Sequence, residues 1–474
     1  MLRKRISAVI LSSIFTLNIV GCAKTETNVS DAAVGFTSSI LASTEGASDE
    51  KEEESDQRVI RIGTWYDHGF DSNDLEVYLE SGSTAEEGSV DAIRYAKMQE
   101  IEEKYNVKIE FVKYSFDYIK DSIMNANDDE VPECDIYEID YSFGIPAATS
   151  GFAANLKRFV SEDDDIFNDQ SVFMPVQIGS DDGVYLFAST SAANTMDNSY
   201  VLAFNKQLLE KNGLENPNEL YDRGEWTWDK WLEYMNVLTQ DTNADGTTDV
   251  YGFGSRYDLL LSLLCMSNGT NIAASESENI SSDEVGECLE FMNQMYNIDK
   301  VTYPWNEASF DSNVSYYLTE RVGFWISSTW ISSMNSDRNL AFDVVWCPFP
   351  IGPSGNVETN YTKNISVGTG WMIPENVDNP EFVYSVFEDW CNWYEGDLEL
   401  RDGDLSWYIE NSITDDNYNL LHELGQKGIF DPWNALDIDY HLYEFIKGEY
   451  SASDIQNMNI GLVQTALDEL YNKE

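Results

Sequence analysis

Tyr200-Val-Leu-Ala-Phe-Asn205-Lys206 opens the stretch that decides the fold, followed by Gly213-Leu214, Pro217, Thr227-Trp228-Asp229, and the run Asp241-Thr-Asn243-Ala-Asp245-Gly246-Thr247-Thr-Asp249 before Tyr251-Gly252-Phe253. The apolar run from Tyr200 ends in Asn205-Lys206 and leads into a helix that Gly213 closes. Thr227 ahead of Trp228 and Asp229 starts a second helix, which runs to Leu238-Thr239. An Asp-rich loop then returns the chain towards a strand.

Outward from this centre the pattern remains that of an α/β protein. Val59 to Trp65 reads as a strand, Asp91 to Tyr105 as a helix, and Val107-Lys-Ile-Glu-Phe111 alternates as a half-buried strand does. Strand, helix, strand is the βαβ signal. Pro380 opens a helix whose apolar face is Phe382, Val383, Val386, Phe387, Trp390, Cys391 and Tyr394. A last amphipathic helix carries Val463, Ala466, Leu467, Leu470 and Tyr471, and there is no internal repeat. At 474 residues the chain is too long for one ordinary core, so two lobes are expected.

Charge sets limits on function. With 85 acidic against 28 basic residues the net charge is −57, and a nucleic acid would be repelled. A strongly anionic substrate is disfavoured for the same reason, neutral ligands are indifferent to the field, and cations are drawn in. The plainer reading of the charge is a solvated surface.

At the N-terminus Arg3, Lys4 and Arg5 precede an apolar stretch from Ile6 to Val20, and Ile19-Val20-Gly21-Cys22 ends it. This resembles the bacterial lipoprotein signal, which implies cleavage after residue 21, acylation of Cys22 and a membrane anchor through lipid. Residues 22–57, rich in Ala, Ser, Thr, Glu and Asp, read as a solvated tether that gives the folded body reach. The other cysteines (Cys134, Cys265, Cys288, Cys347, Cys391) show no C-x-x-C pair and no zinc spacing, so buried thiols are expected.

The order of pieces in the central stretch resembles the sugar-type extracellular solute-binding lipoproteins of bacterial ABC importers. So do Ile60-Arg-Ile-Gly-Thr-Trp65, Cys134-Asp-Ile-Tyr with Gly151-Phe-Ala-Ala-Asn-Leu156, and Arg321-Val-Gly-Phe-Trp-Ile-Ser-Ser-Thr-Trp330. Phe342 to Pro350 with Gly352-Pro353, and Gly368-Thr-Gly-Trp-Met-Ile-Pro374, complete the match. Gly323-Phe-Trp departs from the family's Ala-Met, and Met372-Ile-Pro from its simpler segment.

The resemblance implies a periplasmic-binding-protein-like fold of two α/β lobes, a hinge and a ligand cleft between them. The first lobe is expected over 58–198 plus 341–395, the second over 199–340 plus 396–474. The implied function is a monomeric, non-catalytic receptor that delivers an oligosaccharide to importer permease subunits from the extracytoplasmic face of the membrane. A sugar site wants rings beside planar hydrogen-bonding groups. Trp65, Tyr66 and Asp67 after the first strand, Tyr141 and Phe143 after the strand at 135–139, and Trp330, Trp371, Trp407 and Trp433 are the candidates, with Trp330 first because the family's Trp there stacks on ligand. Trp226, Trp228, Trp231 and Trp390 are assigned to packing. Asp241, Asn243, Asp245, Thr247 and Asp249 hold positions 1, 3, 5, 7 and 9 of a calcium loop, but Gly252 stands where the bidentate Glu belongs. A structural calcium and an Asx-rich turn are both open readings, and no other cofactor is required.

His68, His422 and His441 are scattered, and neither a nucleophile elbow nor a phosphate loop is present. The rival readings are a surface glycoside hydrolase using paired carboxylates, the same fold binding peptide or another solute, and an adhesion or sensor lipoprotein.

Overall fold

The computed structural model describes residues 57–471 apart from 67–69, 83–85, 87, 126–130, 179–181, 191–198, 275, 306–318, 336–339 and 404. The signal segment, Cys22 and nearly all of the tether lie outside the described residues. From Asp56 onward the chain forms one compact unit.

Two sheets organise it. The first has six strands, β1 (Arg58–Thr64), β2 (Val107–Lys113), β3 (Ile136–Asp140), β4 (Phe173–Val176), β5 (Leu186–Ser189) and β13 (Thr369–Met372), in the order β2-β1-β3-β13-β5-β4. β1 is parallel to β2 and β3, and β13 runs antiparallel to β3 and β5. The second sheet has β6 (Val201–Asn205), β7 (Tyr251–Phe253), β10 (Val322–Ser327) and β11 (Val344–Cys347), in the order β11-β6-β10-β7. Two ribbons complete the strands: β8 (Ala273–Ala274) with β9 (Ser277–Glu278), and β12 (Lys363–Asn364) with β14 (Gly428–Ile429). The architecture is the two-sheet α/β fold that the sequence implies, with one correction. The strand at 344–347, expected in the first lobe, pairs with β6 of the second sheet, because Val344 to Cys347 find their ladder partners in Asn205 to Leu202.

Local chemistry explains the elements that carry these sheets. Ser89 caps the helix Val90–Tyr105, and Asn106 ends it in the left-handed conformation at φ 50°, which turns the chain directly into β2. Thr227 caps Trp228–Leu238, and Asn379 with Pro380 opens Pro380–Cys391. Gly252 is required where it stands: a Cβ there would lie 2.4 Å from the Met235 Cα.

One core cluster spans both sheets. Tyr137, Ile139, Leu186 and Met372 of the first sheet join Leu202, Phe204, Phe324 and Ile326 of the second in a continuous apolar body. Trp226 and Trp231 are fully buried in it, as their assignment to packing expects. Alternate residues of the first sheet, including Ile60, Ile62, Ile136 and Trp371, face a separate cluster under the helices Val90–Tyr105 and Pro380–Cys391. A third cluster lies on the other face of the second sheet, around Trp325, Trp346, Leu405 and Leu421. The thiols of Cys134, Cys265, Cys288, Cys347 and Cys391 are free, the first four buried.

Among the described residues the chain passes between the sheets three times: from β5 to β6, from β11 to β13, and from the helix Pro380–Cys391 to Leu405. The first two crossings run side by side. Ser199 bridges Lys363, and the Tyr200 amide donates to the Thr362 carbonyl at 2.9 Å. β12 then pairs with β14, so backbone from three parts of the chain lies together at the crossing.

Candidate ligand cleft

The carboxyl ends of β1 and β3 in one sheet, and of β7 and β10 in the other, place the candidate side chains, as is general for ligand sites on α/β sheets. Trp65, half-buried, follows β1 directly. Its ring lies 5.1 Å from Tyr66, 5.4 Å from Phe116 and 6.1 Å from Phe143, and Phe116 and Phe143 meet edge to face at 5.6 Å. Tyr66 and Phe116 stand 50% and 47% exposed, so the group presents aromatic surface to solvent. Phe143 and Tyr141 are buried in the helix Tyr141–Thr149, which Asp140 caps by accepting the Ser142 amide.

A second group sits at the start of β6 and the end of β10. The Trp330 indole is hydrogen-bonded to the buried Tyr200 phenol, whose pKa burial pushes up to about 12, with Arg256 opposing and Asp140 and Asp258 adding to the rise. Arg256 and Asp258 form a two-pronged pair, Nε to Oδ1 at 3.2 Å and Nη2 to Oδ2 at 2.5 Å. Burial raises the Asp258 carboxyl, but the Arg256 charge and hydrogen bonds outweigh it and hold the pKa below the ordinary value. Burial likewise lifts Asp140, against the hydrogen bonds from Ser142. Asp140 at the end of β3 and Arg256 ahead of the helix Tyr257–Ser267 thus both act electrostatically on the Tyr200 phenol. Tyr257 lies 5.8 Å from Trp305, edge to face, and 6.1 Å from Tyr443. Trp433 is half-buried against the same core, and its neighbour Tyr440 donates to the Trp433 carbonyl at 3.0 Å.

The structure thus brings Trp65, Tyr66 and Phe143 together, and sets Trp330 beside Tyr200. Asp67 lies outside the described residues. Trp371 is not at these strand ends: it is buried on the opposite face of the first sheet, 4.8 Å from Phe387, because the alternation of β13 sends Trp371 one way and Met372 the other. Trp407 is 45% exposed on the short helix Ser406–Asn411 and meets Tyr408 at 4.9 Å. Phe116, Tyr200, Arg256, Asp258 and Trp305 were not anticipated. The arginine and aspartate flanking a tyrosine at the head of a leucine-rich helix were the local signal for Arg256 and Asp258.

The loop at 241–249 spends its acceptors on itself. Asp241 accepts the Asp245 and Gly246 amides, Asn243 accepts the Asp245 amide, Asp245 accepts the Thr247 amide, and Asp249 accepts both donors of Thr242. These are Asx-turn bonds. Among the described residues no three His, Cys, Asp or Glu side chains are grouped to hold a metal ion. Among the described residues, no helix is long and apolar enough to cross a membrane.

Residues 85–393 match the family model for bacterial extracellular solute-binding proteins. No curated protein matches the chain. Among solved structures, an ABC substrate-binding protein from Listeria monocytogenes in complex with cycloalternan is similar at 16% identity and TM-score 0.54, over 88% of this chain and 99% of that one. The maltose/maltodextrin-binding domain from Bdellovibrio bacteriovorus, bound to maltotriose, is similar at 13% identity and TM-score 0.55, over 88% and 100%. The acarbose-binding GacH receptor of Streptomyces glaucescens is similar at 14% and 0.55, over 88% and 99%. At these identities the likeness is one of fold.

Proposed function

The chain belongs to the bacterial extracellular solute-binding protein family, and we propose that it captures an oligosaccharide between its two sheets and delivers it to the permease of an ABC importer. The observation that carries the carbohydrate reading is the pairing of rings with planar polar groups at the strand ends. Trp65, Tyr66 and Phe116 offer apolar faces, while Trp330, with Tyr200, Asp140 and the Arg256–Asp258 pair, offers a ring beside donors and acceptors. Pyranose rings have an apolar face and a rim of hydroxyls, and need both. The similar proteins crystallised with cycloalternan and maltotriose support the same class of ligand.

Delivery requires a receptor held near its permease. Cleavage after Gly21 and acylation of Cys22 would anchor the chain through lipid on the extracytoplasmic face, with residues 22–57 as tether. The receptor acts as a monomer, needs no cofactor, and is not an enzyme: it binds, and a change in the separation of the sheets reports occupancy.

Calorimetric titration against oligosaccharides, peptides and amino acids tests this, with the ligand analysed for cleavage after incubation. Binding of one saccharide series, recovered intact, supports the reading. Release of shorter sugars would make the protein a hydrolase, and a response to peptides alone would overturn the substrate class.

A further inference from the structure

The Arg256–Asp258 pair is built on a rigid part of the chain. β7 ends at Phe253, and Arg256 then holds the N-cap position of the helix Tyr257–Ser267 without spending its side chain on the cap, while Asp258 lies in the first turn. Every residue from Leu259 to Ser267 is buried, so the body of the helix fixes its head. Rings surround the pair. Tyr200, bonded to the Trp330 indole, feels both charges. Tyr296 comes from the π turn Gln294–Ile298, a distortion often found at functional sites. Burial raises the pKa of its phenol, and the Asp258 charge adds to the rise.

The pairing uses only part of each group. Asp258 takes the Nε and Nη2 donors of Arg256, and among the described residues Nη1 has no protein partner. The Asp258 carboxylate also accepts the Leu259 amide, and its oxygens keep further lone pairs. The two side chains are 39% and 34% exposed, so both remain within reach of a ligand. A group that only donates and a group that only accepts thus lie side by side, each with capacity left. An anion would satisfy Arg256 and be repelled by Asp258, and a cation would do the reverse. A neutral hydroxyl accepts from one and donates to the other, and two hydroxyls on adjacent ring carbons offer both functions together. Asp140, which also acts on Tyr200, adds negative potential and disfavours anions further. When a ligand excludes water from the pair, any capacity it leaves unmet becomes a cost.

We propose, resting on the carbohydrate reading above, that the Arg256–Asp258 pair sets the charge selectivity of the site: it reads two adjacent hydroxyls of a neutral sugar ring and rejects uronic acids and amino sugars at that position. Selectivity then depends on the balance of the two charges, and removing either one tilts it towards a ligand of the lost sign. Because the ligand itself carries no charge, its affinity does not depend on ionic strength.

Titration calorimetry of the whole protein tests this with trisaccharides: maltotriose, cellotriose, mannotriose and xylotriose as neutral probes, trigalacturonate as the acid, and protonated triglucosamine as the amine. The wild type should bind a neutral probe, equally at low and high salt, and each charged one more weakly. Asp258→Asn and Arg256→Gln should both weaken the neutral probe roughly tenfold or more, as loss of a charge-assisted partner does. Relative to that probe, Asp258→Asn should move affinity roughly tenfold towards trigalacturonate, and Arg256→Gln by a similar factor towards triglucosamine. If either variant does not fold, monodeoxy derivatives of the bound trisaccharide decide on the unaltered protein. Removing either member of one adjacent pair of hydroxyls should cost roughly tenfold or more, because a buried charge is left without its partner. Failure of every neutral probe to bind would overturn the carbohydrate reading and this proposal with it. A neutral probe that binds while the charge ratios stay unmoved in both variants would overturn the proposal alone. So would a charged probe that the wild type binds as well as the neutral one, or deoxy derivatives that all bind like the parent.

Discussion

Asp431 offers a direct test of how the crossing is held. It is 1% exposed, and its carboxylate accepts the amides of Ile272 at 2.6 Å, Ala273 at 3.0 Å and Trp433 at 3.3 Å. Its backbone is bonded in both directions to Asn364 of β12, at 3.0 Å and 2.8 Å. Burial outweighs the three amide bonds and lifts the carboxyl from an ordinary 3.8 to about 7. Because the folded pKa lies above the unfolded one, the folded state holds the extra proton between those values, and stability falls as pH rises from about 4 to about 7. The full effect is about 4 kcal/mol at 1.36 kcal/mol for each tenfold step in acidity. Asp431→Asn is neutral throughout, but its Nδ2 carries two donors and cannot accept from the amides it faces, a cost of roughly 1–3 kcal/mol that does not vary with pH. The variant should therefore be the less stable by roughly 1–3 kcal/mol near about pH 4, and the difference should move in its favour by up to about 4 kcal/mol by about pH 8. Urea unfolding at a series of pH values, followed by tryptophan fluorescence, measures the difference directly, and titrations elsewhere cancel between the two proteins. Parallel curves across the range would refute the reasoning, because they would mean that this carboxylate titrates alike in both states.

Trp330→Ala removes a ring and the donor to Tyr200, and should weaken the solute by about 2 kcal/mol, close to thirtyfold, while Trp330→Phe recovers most of it; calorimetry would show whether the ring matters at all. Gly370→Ala places a Cβ 2.7 Å from the Tyr141 hydroxyl and 2.8 Å from the Phe187 carbonyl, inside the ladder, so denaturation should show a loss of about 1–3 kcal/mol, and a neutral result would mean that β13 yields easily. If the Asx-turn bonds alone hold the 241–249 loop, chelators should leave the melting temperature unchanged, and a rise on adding calcium would make the ion a ligand of the loop.

What the sequence made legible follows from whether the signal is local. β1, the helix Val90–Tyr105 and β2 could be read because strict alternation, a Ser89 cap and a short αL turn at Asn106 all lie within a few residues of each other. β11 could not be placed, since Val344-Val-Trp-Cys347 reads as a buried strand for any sheet and its partner β6 is far away in sequence. Trp371 failed for a related reason. Its strand is four residues long, too short for its parity to be fixed from the chain alone, and a shift of one position exchanges the two faces. Trp393 and Tyr394, three and four residues beyond Trp390, look like a continued helix face; in the structure the helix stops at Cys391 and Trp393 turns onto Arg94. Phe116 follows β2 as Trp65 follows β1, and the shared position at a strand end was the available clue.

The crossing itself constrains how the two bodies can move. Its backbone is held rather than loose: the Tyr200 amide bonds the Thr362 carbonyl, the Ile365 amide bonds the Ile429 carbonyl at 2.7 Å, and the Asn364 side chain donates to the Asp431 carbonyl. A change in sheet separation that broke these bonds would leave buried amides without partners, at roughly 1–3 kcal/mol each. Rotation about the paired segment as a unit avoids that loss, with the change in backbone angles absorbed beyond its ends. Asp431 belongs to the paired segment and also holds the Trp433 amide, so its proton and the placement of that ring share one set of bonds. A solute that contacts Trp433 and favours one protonation state of Asp431 would therefore bind with an affinity that changes around the folded pKa of about 7, because the ligand shifts the proton equilibrium by the same free energy that the proton shifts its binding.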